Sequence, residues 1–249
     1  MPASTPTIIA TSIGFDMGVA GNSDWVAGPA YRYAADLTSN PQTPRICIIA
    51  TAGGDNPAEL TSLYSAFGRM GMVVSHLALY PMPNFADISE HLLRQDIIWV
   101  SGGSTPNLLA LWRLHRVDQA LRRCWESGVV LMGCSAGSVC WHVGGTTDGF
   151  GLPLQPVLDG MGFLPYSNSP HYDSEPERRP TFQRLVGSGE LPGGYATDNG
   201  VGLVFRGTEL AEVIADLAGR NAYEVTATDG GGVREAVITP RLLAPLVTV

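Results

Sequence analysis

The sequence predicts an α/β fold, a parallel sheet covered by helices on both faces, followed by a β-rich C-terminal part. Three observations carry this. Short apolar runs rich in β-branched residues recur at 7–11, 45–50, 72–79, 96–100 and 129–132. Stretches with helical punctuation or periodicity separate them, and strands that alternate with helices pair in parallel through crossovers. Runs that are apolar throughout mark strands buried on both faces.

Taken in order, residues 7–11 form the first strand, 12–22 a glycine-containing loop, and 25–37 a helix. The strand at 45–50 leads into Gly53-Gly54-Asp55, and Pro57 suits the first turn of a helix. In that helix Leu60, Leu63, Tyr64 and Phe67 fall at i, i+3, i+4 and i+7, one apolar face. A strand at 72–79, a short helix at 86–94 and a strand at 96–100 follow. Ser101-Gly102-Gly103-Ser104-Thr105 comes next, and Pro106 opens a helix whose Leu108, Leu111, Leu114 and Leu121 share a face. Beyond Trp141 the texture changes. Residues 144–165 are rich in Gly and Pro without a clean period, and such long irregular stretches in compact domains are usually functional. Runs at 201–205, 212–215, 222–228 and 233–238 read as antiparallel strands of the same domain, with Gly230-Gly231-Gly232 as a hairpin turn.

The length of 249 residues predicts one domain, 1–249, with ample chain for a core. Hydrophobic residues make up 45% and charged residues 15%, which excludes a disordered chain. A net charge of −8 argues against nucleic acid or an anionic membrane as partner. No apolar run approaches the roughly 20 residues of a bilayer span. The first ten residues carry neither a basic region nor a long apolar core, so no secretory signal is expected. Cys47, Cys124, Cys134 and Cys140 form no C-x-x-C pair and read as reduced thiols of a cytoplasmic protein.

The chemistry centres on residues 128–138. An apolar run ends at Gly133, and Gly133-Cys134-Ser135-Ala136-Gly137 fits G-x-S-x-G, the elbow that lifts a serine nucleophile off a sheet. Only small residues fit so tight a turn. It places the next backbone N–H beside the reacting carbonyl, and a helix N-terminus favours a developing oxyanion. A serine needs a base, and the base an orienting group. Of five histidines, His76 falls in a predicted strand and His91 and His115 in predicted helices, while His142 is placed in the elbow helix facing away from Ser135. His171, on the polar loop Ser169-Pro170-His171-Tyr172-Asp173, is the candidate base. For the orienting carboxylate, Asp148, Asp173, Glu175, Glu177 and Asp198 compete, and spacing does not choose among them. Gly102-Gly103 offers a second oxyanion donor. No His/Cys/Asp/Glu cluster has metal-ligand spacing, so neither metal nor cofactor is expected.

Four motifs in order, Ser101-Gly102-Gly103-Ser104-Thr105, Gly133-Cys134-Ser135-Ala136-Gly137, Thr146-Thr147-Asp148 and Ser169-Pro170-His171-Tyr172, resemble the peptidase E (aspartyl dipeptidase) family of serine peptidases, relatives of the cyanophycinases. The resemblance spans nearly the whole chain. It implies a flavodoxin-like fold related to class I glutamine amidotransferases, a metal-free homodimer, and cleavage of short peptides. Residue by residue, it implies Ser135 as nucleophile, His171 as general base and Asp148 as its orienter, with the Gly103 and Ala136 N–H groups as oxyanion hole. Arg178 falls near the place of an arginine that reads an acidic substrate side chain, with Arg179 equally placed. The family's glycine run is shortened here, with Ser101 and Ser104 at its ends, and the loop before Asp148 is shorter too. Two other readings stand beside this one. Cys134 would be the nucleophile of an amidotransferase-like enzyme, although one position before the apex it should point into the core. A non-catalytic binder would cradle an anion in its glycine turns. Both arginines could also simply pair with Glu175 and Glu177.

Overall fold

A computed structural model of the chain describes residues 5–16 and 25–246. The chain opens with β1 (Thr7–Thr11), then two short paired strands, β2 (Phe15–Asp16) and β3 (Val26–Ala27). The loop predicted over 12–22 lies outside the described residues from position 17 onward. Helix α1 (Pro29–Asp36) is shorter than the predicted 25–37, because Pro29 sets the first turn. Then come β4 (Arg45–Ile49), a single 3₁₀ turn (Thr51–Gly53), α2 (Pro57–Arg69), β5 (Val73–Leu77), α3 (Ile88–Leu93) and β6 (Ile97–Val100). Asn56 caps α2 by accepting from the Ala58 N–H at 2.9 Å.

The single helix expected after Pro106 is two, α4 (Thr105–Leu114) and α5 (Val117–Glu126). Arg116, at φ 57°, breaks them, and Leu114 is 72% exposed instead of sharing a face with Leu108 and Leu121. Strand β7 (Val130–Cys134) leads into α6 (Ala136–Val139), a single turn. His142 is therefore not in the elbow helix. It opens β8 (His142–Thr147), fully buried, and burial lowers its pKa to about 4.

The stretch read as irregular, 144–165, holds the end of β8, then β9 (Gln155–Val157) and the start of β10 (Leu164–Ser169). Its glycines allow close strand packing. A Cβ at Gly145 would lie 2.1 Å from the Asn168 carbonyl oxygen, and one at Gly144 2.3 Å from that of Val157. Helix α7 (Arg178–Gly187) had no sequence signal, and Pro180 inside its first turn disguises it. Next are β11 (Gly194–Thr197), β12 (Val201–Arg206), β13 (Glu209–Ala215), β14 (Ala222–Ala227), β15 (Val233–Ile238) and β16 (Arg241–Leu242). The hairpin at Gly230-Gly231-Gly232 joins β14 to β15 as expected.

The strands form two large sheets. The main one runs β16-β13-β12-β1-β7-β6-β4-β5, parallel from β1 to β5 and extended by antiparallel β12 and β13. The second runs β15-β14-β11-β10-β8-β9. The C-terminal strands thus divide between the sheets, and their pairing is mixed: β13 pairs with β16 in parallel. One face of the main sheet packs Ile9, Ile48 and Met132 on Tyr31 of α1 and Phe67 of α2. The other packs Ile8, Leu131 and Phe205 on Trp112 of α4 and Trp125 of α5, and on Trp141, Leu164 and Tyr195 around the second sheet. Phe182 and Leu185 of α7 cover the far side of the second sheet. Among the described residues, no helix is long and apolar enough to cross a membrane.

One half-buried carboxyl ties the segment after β13 to the first turn of α1. Asp216, just after β13, accepts the Ala30 N–H of α1 at 2.9 Å. Gly28 leaves room for it, since a Cβ there would lie 2.3 Å from Asp216 Oδ2. Burial raises this carboxyl from 3.8 to about 6, more than the Ala30 hydrogen bond lowers it. The fold therefore favours the protonated form. Its stabilising contribution is complete below about pH 4 and is lost as pH rises through about 6. Thermal melts of wild type and Asp216→Asn from pH 4 to 8 should show the variant gaining on wild type between pH 4 and 6 and holding a constant lead above that. A flat difference would mean Asp216 does not titrate in this window.

Candidate active site

Ser135 stands at the carboxyl end of β7, at φ 57° and ψ −114°. That positive φ is uncommon for a residue with a side chain and marks a held, strained turn. The two glycines of the motif have separate steric causes. A Cβ at Gly133 would lie 2.2 Å from the Gly137 carbonyl oxygen, and one at Gly137 2.2 Å from that of Val100 in β6. β1 holds the turn from its other side: Ser135 N–H donates to the Thr11 carbonyl at 3.1 Å, and Thr11 Oγ1 donates to the Gly133 carbonyl at 3.0 Å.

The glycine turn after β6 lies against this elbow. A Cβ at Gly102 would sit 3.2 Å from Ser135 Cβ. Gly103, at φ 130°, presses on the 3₁₀ turn, where a Cβ would meet the Ala52 carbonyl oxygen at 2.3 Å. Among the described residues, neither the Gly103 nor the Ala136 N–H donates to a protein acceptor. Two donors beside a raised serine are what an oxyanion hole requires.

His171 follows β10 and, like Ser135, is a non-glycine residue held at positive φ, 58°. Its N–H donates to Ser12 Oγ at 3.0 Å, and Ser12 Oγ also contacts Thr197 Oγ1 at 2.6 Å. Consecutive residues at the end of β1 therefore hold the two groups, Thr11 the serine and Ser12 the histidine. A further tie runs from the elbow helix to β10, where Ser138 Oγ donates to Asn168 Oδ1 at 2.9 Å.

The hydrogen-bonded neighbour of the His171 ring is not the Asp148 that the resemblance implied. His171 Nδ1 bonds to Asn199 Oδ1 at 2.6 Å, whereas the exposed Asp148 faces Arg178 Nη2 at 3.9 Å. As an amide, Asn199 stands outside the carboxylates that usually partner a catalytic imidazole. Its one sequence signal, Asp198-Asn199-Gly200 at a strand end, also describes an ordinary turn. The rival carboxylates have partners of their own. Asp173 accepts from Asn199 N–H at 2.8 Å and pairs with Arg220. Asp198 accepts from Asn221 N–H at 2.9 Å and the Tyr223 hydroxyl at 3.3 Å, and burial raises its pKa. Glu175 accepts from Arg178 Nε at 2.7 Å.

Arg178 and Arg179 are not equivalent. Arg178 is 2% exposed and donates through Nη1 to the Thr146 carbonyl at 2.8 Å. Arg179 lies over the Tyr172 and Tyr223 rings and pairs with Glu235, on the outer side of α7, and not with Glu177. Cys134 packs into the apolar cluster around α1, and burial pushes its thiol up to about 12, so no thiolate is at hand for attack. Among the described residues, no three His, Cys, Asp or Glu side chains cluster in a way that could hold a metal ion.

The chain is similar to known peptidases. An uncharacterized peptidase, YgaJ, of Bacillus subtilis (strain 168) is 41% identical over 187 residues, covering 75% of this chain and 80% of that protein. A solved peptidase from an acI-B1 actinobacterium shares the fold at a TM-score of 0.67 and 18% identity, covering 96% of each chain. A solved protein assigned as a candidate peptidase E from Listeria monocytogenes EGD-e does so at 0.58 and 18%, over 95% of this chain and 100% of that one. The profile of peptidase family S51 matches residues 23–213, and with these relatives it shows that the chain belongs to peptidase family S51.

Proposed function

We propose that the chain is one serine-peptidase domain that hydrolyses short peptides and releases their N-terminal residue. The observation that carries the reading is Ser135, raised on a strained elbow beside two N–H groups without protein acceptors. The sheet order β5-β4-β6-β7, with β1 in fifth place, supports a flavodoxin-like reading. It also puts Ser135 and Gly103 at the carboxyl ends of parallel strands, where such sheets bind ligands.

The chemistry follows from the roles. Ser135 Oγ attacks the scissile carbonyl as its proton passes to His171 Nε2. The C–O bond forms, and the carbonyl electron pair moves onto oxygen, facing the Gly103 and Ala136 N–H groups. Collapse of this intermediate breaks the C–N bond, and the proton on Nε2 goes to the leaving amine. Water then attacks the acyl-enzyme, giving its proton to His171 and later returning Ser135 to its hydroxyl form.

A preference for an acidic N-terminal residue would rest on Arg178. Its Nη2 has Asp148 at 3.9 Å, beyond hydrogen-bonding distance, as its nearest partner among the described residues. The same guanidinium is committed to Thr146 and Glu175, so it also clamps α7 to β8.

Two expectations test this. Ser135→Ala should lower kcat on the order of 10⁶-fold and abolish fluorophosphonate labelling, while Cys134→Ala keeps most of the activity. Activity of Ser135→Ala within tenfold of wild type would end the serine reading. For specificity, kcat/KM for Asp-Leu should exceed that for Leu-Leu. Arg178→Lys should cost about 2–5 kcal/mol with Asp-Leu and little with Leu-Leu. Equal losses on both peptides would make Arg178 a clamp alone.

A further inference from the structure

We propose that the general base is oriented by an amide: Asn199 Oδ1 accepts the His171 Nδ1–H, and among the described residues no carboxylate hydrogen-bonds the imidazole. The proposal builds on the assignment of Ser135 and His171 above. The 2.6 Å contact joins His171 Nδ1 to Asn199 Oδ1 directly. Asn199 is itself fixed by its N–H bond to Asp173 Oδ1 at 2.8 Å, while Arg220 pairs with the other Asp173 oxygen. Next in the chain, Gly200 at φ 84° donates to the Ser12 carbonyl at 3.0 Å, so the turn carrying Asn199 is tied to the residue that also holds the His171 backbone.

The surrounding carboxylates are engaged elsewhere. Asp148 and Glu175 face Arg178, Asp173 faces Arg220, and Asp198 bonds to Asn221 and Tyr223. Glu177 lies on the same loop as His171, and Arg178 and Arg220 are the cations that face these carboxylates.

An amide oxygen can only accept, so it holds the proton on Nδ1 and leaves the Nε2 lone pair free for the Ser135 proton. A carboxylate in its place would do the same and add a negative charge that favours the imidazolium. The amide gives orientation without that charge. The enzyme's activity should extend further into the acid range than that of its own Asn199→Asp variant.

The test uses the rate of Ser135 labelling by a fluorophosphonate from pH 5 to 9, which needs the base but no natural substrate. It is run beside dipeptide kcat and KM. Asn199→Ala should slow labelling and kcat by about 10²-fold, with KM within twofold of wild type. Asn199→Asp, the near-isosteric control for folding, should restore most of the rate above pH 7. Its acid limb should move up by about one pH unit. Labelling of Asn199→Ala within twofold of wild type, with Asp148→Asn producing the loss instead, would overturn the proposal. So would an unshifted acid limb in Asn199→Asp. If wild type labels at Ser135 but cleaves no short peptide, the peptidase reading fails while every labelling arm still tests the amide. If Ser135 does not label, ¹⁵N NMR of the His171 imidazole decides. A proton on Nδ1 in wild type that is lost or redistributed in Asn199→Ala supports the proposal, and a proton on Nε2 in wild type refutes it.

Discussion

The site depends on a steric fact about three stretches of backbone. Gly133, Gly137 and the Val100 carbonyl of β6 approach so closely that no side chain can stand between them. This contact bends the chain at the end of β7 within one residue and forces Ser135 to positive φ. The elbow is thus a packing requirement of neighbouring strands before it is a catalytic device. The energy that holds the strained serine comes from the sheet around it, since β1 and β6 are both buried throughout and cannot retreat. Gly103 repeats the pattern one strand further out, pressed against the turn after β4.

Much of this was legible in the residues. The parallel strands announced themselves because each is buried on both faces and so is apolar without alternation. The elbow was legible because its two glycines obey a fixed spacing. Ser135 and His171 stood out in the sequence because a nucleophile and a base have few chemical substitutes. What escaped notice did so for physical reasons. The strands β8 to β10 were hidden because glycines that allow close strand packing look the same in sequence as glycines that break structure. Helix α7 was hidden by Pro180 and by a first turn of two arginines, one of which is buried by pairing and not by apolarity.

The Asn199 contact with His171 was illegible for a different reason. A carboxylate is the usual partner of a catalytic imidazole, and the loops supplied five of them. The structure shows four of them, Asp148, Asp173, Glu175 and Asp198, facing other groups, which only three-dimensional accounting could reveal. Arg178 shows the same limit. Sequence set it beside Arg179 as an equal, but one guanidinium is sunk between β8 and α7 while its neighbour stacks on two tyrosines outside.

Ser135 belongs to the main sheet, whereas His171 and Asn199 extend from strands of the second. The two sheets pack through a layer that includes Trp141, Leu164, Tyr195 and Phe205, and hydrogen bonds of Ser12 and Ser138 link them near the site, so this packing sets how Ser135 and His171 stand to each other. Close-packed interiors transmit a change of volume over several side chains without absorbing it. Proton transfer tolerates only tenths of an ångström, far less than folding does. This makes the layer a calibrated spacer. Drift in its side-chain volumes between related chains would be read out first as altered turnover, in proteins that still fold and still bind.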